Sequence, residues 1–158
     1  MEPRIRNIAT INPEAVKALQ ALGASAEKGG VPSKTLGLVH LRASQINGCS
    51  VCVDMHPRML KKGGETDERL FAVAAWRDTP YFTDAERAAL DYVTELTKEK
   101  KVDPSTFSRV SHHYSEREIC EIVWLVASEH LYNMTNIGLN THSDMLCDIS
   151  RKRQQRVA

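Results

Sequence analysis

The sequence predicts an all-α fold, a bundle of about six to seven helices. Three observations carry that expectation. Apolar residues recur at spacings of three and four, two capping boxes mark helix starts, and no stretch alternates apolar with polar residues as a half-buried strand does.

The elements follow in order. Pro13, at a first-turn position, opens a helix through Val16, Leu19 and Leu22 that runs towards the Gly29-Gly30 break. Pro32-Ser33 starts a second, carrying Leu36, Val39, Leu41, Ala43 and Ile46 until Asn47-Gly48 stops it. Its apolar residues fall on more than one face, which predicts a central, well-buried helix. A third begins near Cys49 and ends at Gly63-Gly64, with Pro57 expected to kink it or loosen its first turns. Thr66, followed by Asp67 and Glu68, caps a fourth that is expected to bury Leu70, Phe71 and Ala74. Thr83-Asp84-Ala85-Glu86 is a capping box before the stripe Ala89, Leu90, Val93 and Leu96. Ser115-Glu116-Arg117-Glu118 is another, opening a long helix with Ile119, Ile122, Val123, Val126 and Leu131. Beyond about residue 140, Arg151-Lys152-Arg153 and Arg156 make a basic tail, simplest as a solvated end.

One domain is expected over residues 1–158, with its core at about 12–140. The formal charge of +1 gives no global attraction to nucleic acid or a membrane surface. The residues after Met1-Glu2-Pro3-Arg4 are not an apolar run, so no signal peptide is expected. The longest apolar run, Ile122 to Ala127, is too short to span a bilayer. A cytoplasmic protein is the expectation, and there thiols stay reduced unless they cycle. Cys120 and Cys147 stand alone in sequence and read as inert, partly buried small side chains.

Cys49 and Cys52 are different. With His56 they share one face of a helix, at spacings of three and four. Gly48 breaks the preceding helix, placing Cys49 near a helix start, where unpaired N–H groups favour thiolate over thiol. His56 stands one turn past Cys52 and is able to take or return a proton. A thiolate attacks a peroxide O–O bond to give a sulfenic acid, and a neighbouring thiol condenses that into a disulfide. A zinc site of Cys49, Cys52 and His56 competes with this reading, but a closed site needs a fourth ligand, from His40, Cys120 or Cys147. The missing strands exclude a thioredoxin fold, which sets its CxxC in a βαβ unit.

The string Ser44-Gln45-Ile46-Asn47-Gly48-Cys49-Ser50-Val51-Cys52-Val53-Asp54-Met55-His56 resembles the core of alkylhydroperoxidase D-like proteins of the carboxymuconolactone decarboxylase superfamily. The likeness continues through Ala75-Trp76-Arg77 and Phe82-Thr83-Asp84-Ala85-Glu86 to Glu95-Leu96-Thr97. It implies an all-helical fold, obligate homo-oligomers (commonly trimers or hexamers), and hydroperoxide reduction through the cysteine pair. Carried over by position, Cys52 attacks the peroxide, Cys49 resolves the sulfenic acid and His56 relays the proton. A protein-bound dihydrolipoyl group or a small dithiol would reset the pair, with no tightly bound cofactor and no metal. The relay carboxylate that the likeness places at position 37 is replaced by Gly37. Gly37 either clears room for water or substrate, or leaves the relay incomplete, or marks a disulfide-exchange protein. His40, one turn along the same face, is the nearest substitute and a further candidate catalytic residue. Glu118, Glu121, His130 and Asn133 are others. Two further functional classes stay open: a lactone decarboxylase of the same superfamily, and a non-catalytic oligomeric stress or binding protein.

Overall fold

A computed structural model describes residues 2–5 and 7–143, and among them the chain forms eight α-helices and one 3-10 helix with no strand. In order these are α1 (Ile8–Ile11), α2 (Pro13–Ala26), α3 (Ser33–Asn47), α4 (Ser50–Lys62), α5 (Asp67–Ala72), the 3-10 helix (Val73–Asp78), α6 (Asp84–Glu99), α7 (Pro104–His113) and α8 (Glu116–Gly138). Cys147 and the basic tail lie outside the described residues.

Side-chain caps set the boundaries. Asn12 accepts from the Ala15 N–H with Pro13 in the first turn of α2, and Thr66 accepts from the Arg69 N–H to start α5. Both capping boxes form: Thr83 with Glu86 before α6, and Ser115 with Glu118 before α8. α4 runs unbroken through Pro57.

α3 is the axis of the fold and packs against α4, α6 and α8. It feeds two apolar clusters at once. Leu36, Val39 and Ala43 join Ala89, Val93, Val110, Ile122 and Leu125. Leu38 and Leu41 turn the other way, to Leu60, Leu70, Val73, Trp76 and Phe82. The expectation of a central helix with two apolar faces is therefore met.

Three details differ from the sequence expectations. α1 and α7 were not anticipated, although Asp103 before Pro104 is a cap-and-first-turn pair and does cap α7. Leu70 is buried, but Phe71 is 82% exposed and Ala74 also faces outward. The reason is a change of period: α5 passes into the 3-10 helix at Val73, and Ala72, Val73 and Trp76 take the buried positions instead. On α8, Leu131, expected in the apolar stripe, is 51% exposed, and Cys120, expected to be partly buried, is exposed as well because it falls on the outer face of that helix.

Gly37 has a packing cause rather than a solvent or substrate cause. A Cβ there would lie 2.5 Å from Leu60 Cδ2 and 3.0 Å from its Cγ, so the space belongs to a leucine of α4. No side chain at 37, a carboxylate included, fits without displacing Leu60. Gly37→Ala is expected to lower stability by about 1–3 kcal/mol through overpacking, against a helix-propensity gain of about 1 kcal/mol. Urea unfolding of that variant checks it, and a Leu60→Val background should shrink the loss.

Candidate functional site

Gly48 ends α3 in the left-handed region, at φ 72°, which a glycine adopts without strain. The turn it makes leaves Cys49 as the residue that caps α4 and Cys52 in the first turn of that helix. Both thiols are free and about 1% exposed. The Cys52 thiol hydrogen-bonds to the Cys49 sulfur, and the Asn136 amide of α8 reaches both, at 3.7 Å from Cys49 Sγ and 3.5 Å from Cys52 Sγ.

This arrangement splits the acidity of the pair. The hydrogen bond from Cys52 is the largest influence on Cys49; with help from Asn136 it overcomes burial and the Glu129 charge and pulls the Cys49 thiol down to about 6. Cys52 is pushed up, first because it is the donor to Cys49, then by burial and the nearby Glu129 charge. The two sulfurs are therefore unequal, with Cys49 the more acidic and Cys52 its hydrogen-bond donor. The direction matches the acidity expected at the helix start, but its main cause is the neighbouring thiol.

Behind the thiols lies a carboxylate that sequence reasoning did not find. Glu129 of α8 is 2% exposed. His40 Nδ1 stands 2.8 Å from its Oε2 and donates there in the Nδ1–H tautomer. Ser44 Oγ and Asn133 Nδ2 each donate to Oε1 at 2.6 Å, and Asn47 Nδ2 donates to Asn133 Oδ1 at 2.8 Å. Burial alone would raise the Glu129 carboxyl; the bond from His40 and the approach of His56 outweigh it and hold the group well below the usual carboxylate range. A negative charge is thus fixed in the centre of the site.

His56 is buried and stacks on His40, with ring centroids 4.8 Å apart and planes 14° from parallel. Its Nε2 comes within 3.2 Å of Glu129 Oε1, yet makes no aligned hydrogen bond and has no other partner. The contact is electrostatic, a short distance without hydrogen-bond direction. His40, His56 and Glu129 also form a group of three metal-ligating side chains whose ligand atoms lie within 4.8 Å of one another; the thiols fall outside that group.

All four sequence-predicted residues therefore come together: Cys49 and Cys52 as a hydrogen-bonded pair of free thiols, and His56 and His40 on one carboxylate. The other substitutes for the missing acid are placed elsewhere. Glu118 closes the cap of α8, and Glu121 accepts the Gly29 and Val31 N–H groups at 2.8 and 3.0 Å. His130 contacts Thr97 Oγ1 at 3.4 Å, and Asn133 serves Glu129 rather than replacing it. A signal for Glu129 does exist in the sequence. It continues the buried face of α8 set by Ile122, Leu125 and Val126, at a spacing that leads on to Asn133 and Asn136. A charged residue on an apolar face needs a partner.

Comparison with known proteins gives the family and the fold. Residues 13–95 match the sequence profile of the Carboxymuconolactone decarboxylase family. The match takes in His40, Cys49, Cys52 and His56 but stops short of α8, which brings Glu129 and Asn136. The chain is 28% identical over 135 residues to the uncharacterized protein YdfG of Bacillus subtilis, covering 84% of this chain and 92% of YdfG. It is 30% identical over 117 residues to the uncharacterized protein YnjA of Escherichia coli, covering 73% of this chain and 64% of YnjA. Among solved structures it is similar to a protein of unknown function from Agrobacterium tumefaciens, named as a candidate antioxidant defence protein AhpD. That likeness has a TM-score of 0.84 and 32% identity, over 89% of this chain and 97% of the other. The debrominase Bmp8 shares the fold at a TM-score of 0.76 and 20% identity, over 83% of this chain and 72% of its own.

Proposed function

The chain belongs to the carboxymuconolactone decarboxylase family, and from that premise we propose that it is a thiol-dependent peroxidase that reduces hydroperoxides through Cys49 and Cys52. The observation that carries this reading is the pair itself: two free sulfurs both reached by the Asn136 amide, one helical turn from a histidine that lies against a buried carboxylate.

The steps balance as follows. The Cys52 proton passes to the Cys49 thiolate, and the Cys52 sulfur attacks the terminal oxygen of ROOH. The O–O bond breaks, the leaving RO⁻ takes a proton from the His56 imidazolium, and Cys52 becomes a sulfenic acid. Cys49 then attacks that sulfur; its proton leaves with the hydroxide as water and the 49–52 disulfide forms. An external dithiol, either small or lipoyl and protein-bound, reduces the disulfide by exchange. Glu129, with His40 on its other oxygen, sets a negative charge 3.2 Å from His56 Nε2, where the proton is handed over. Buried as the sulfurs are, peroxide reaches Cys52 only when neighbouring side chains move.

This scheme ties the rate to the Cys49 thiolate. Oxidation by hydroperoxide is expected to fall as pH drops through about 6, where Cys49 is protonated and Cys52 loses its proton acceptor. A stopped-flow profile that instead falls in the ordinary thiol range, about 8.5, would contradict it.

No helix among the described residues is long and apolar enough to cross a membrane, which suits a chain working in the reducing cytoplasm. A homo-oligomer, a trimer or hexamer, belongs to the same reading. Trp124, Leu131, Met134 and Ile137 are exposed along α8, and a monomer would leave them in water. Leu131→Glu with Met134→Glu is expected to shift the mass seen by light scattering towards the monomer.

The deciding experiment counts free thiols before and after one equivalent of hydroperoxide and maps the product by mass. Rapid loss of two thiols with a 49–52 bridge supports peroxidase chemistry. A pair that stays reduced at neutral pH refutes it.

A further inference from the structure

We propose that His40, His56 and Glu129 form a binding site for a divalent zinc ion, one that competes with the proton relay. The donor set is two imidazoles and one carboxylate, the combination that holds zinc while leaving a fourth position open. The positions suit it. His40 Nδ1 and Glu129 Oε2 are 2.8 Å apart, His56 Nε2 and Glu129 Oε1 3.2 Å, and all the ligand atoms fall within 4.8 Å. Tetrahedral zinc at ordinary bond lengths separates its ligand atoms by about 3.3 Å, so the 2.8 Å pair has to open and the widest, at up to 4.8 Å, has to close for the ion to seat. The stacked rings present their two nitrogens side by side to the same carboxylate.

An independent observation points the same way. His56 Nε2 is fully buried and has no hydrogen-bond partner, although it is turned towards Glu129. A buried ring nitrogen that faces a carboxylate without a hydrogen-bond partner has its lone pair available to a metal ion. Ser44 and Asn133 already hold the carboxylate from behind, the support that metal ligands ordinarily have. The His40 side chain, 16% exposed, gives the ion a way in. Zinc outranks ferrous iron for such donors in the general affinity order.

Binding would need both imidazoles neutral and would remove their protons from circulation. Peroxide reduction should then stop and return on chelation. That inhibition rests on the peroxidase reading, whereas the site itself does not.

The test uses the full chain, stripped with a chelator, in three forms: wild type, Cys49→Ser/Cys52→Ser, and His40→Gln. Calorimetric titration with zinc chloride should give one ion per chain in the first two, and loss of binding in the third. Cobalt(II) in the wild type should show visible d–d bands without a sulfur-to-cobalt charge-transfer band. Loss of binding in the cysteine-free form, a sulfur charge-transfer band, unchanged binding in His40→Gln, or no binding at millimolar zinc each overturns the proposal. Should His40→Gln melt abnormally, the cobalt spectrum and the cysteine-free form decide alone. Because those two measurements involve no turnover, a failed zinc site and a failed peroxidase remain distinguishable.

Discussion

Cys52→Ser is expected to abolish turnover with hydroperoxide and dithiol, and Cys49→Ser to stop it at a different stage. Without Cys52 no sulfur in the site receives oxygen, so thiol loss on peroxide treatment should fall to the level of the remaining cysteines. Without Cys49 the attack still has its nucleophile, but the resulting sulfenic acid has no partner to condense with. It should persist on Cys52, trappable by a 1,3-diketone and visible as a mass adduct. Cys49→Ser should also slow that first step, because the thiolate that accepts the Cys52 proton is gone. An adduct on Cys49 in the Cys52→Ser protein, formed as fast as in wild type, would reverse the two roles.

The second large effect is expected at Glu129. Glu129→Gln keeps the volume and removes the charge, and the loss of the relay should cost about 10²–10⁴-fold in kcat. A structural role alone would not alter thiol acidity, so the thiol titration is the sharper measurement. The Glu129 charge raises both sulfurs, and its removal should move the titration of the pair to lower pH while the rate falls. Stability follows by linkage. The folded carboxyl lies below its ordinary 4.5, so its contribution is fully present above that value and disappears as pH falls towards the folded value. Acid unfolding in that window should be shallower for Glu129→Gln. Glu129→Ala is harsher, since it strands His40, Ser44 and Asn133 without their acceptor, and about 3–5 kcal/mol of destabilisation is expected from urea unfolding.

What the sequence disclosed divides along physical lines. Caps and periodicity are local, and so Thr83, Ser115 and Gly48 marked boundaries that the structure reproduces. The thiol pair and His56 lie on one helix, where spacing alone puts them on one face. His40 was within reach because it sits on the neighbouring helix, one turn from Gly37. Glu129 was not, since its meeting with His40 spans 89 residues of chain and depends on how α8 crosses α3. The search for an acid turned to Glu118 and Glu121 of that very helix, but both serve local and loop contacts. Gly37 was read as room for water or substrate, an incomplete relay or a mark of disulfide exchange; only the packing of α4 reveals it as the seat of Leu60. Phe71 was misplaced by assuming one helical period across a junction where the period changes.

The reach of Asn136 to sulfurs 87 and 84 residues earlier has a consequence during synthesis. A nascent chain leaving the ribosome exposes both thiols well before α8 has been made, with neither the amide nor the acid at hand. The pairing of Cys49 with Cys52 is local to α4 and does not wait for α8, but His56 has no carboxylate beside it until that helix arrives. Sulfur acidity is thus written into one helix, whereas the proton route is completed only when a segment made some eighty residues later packs against α3.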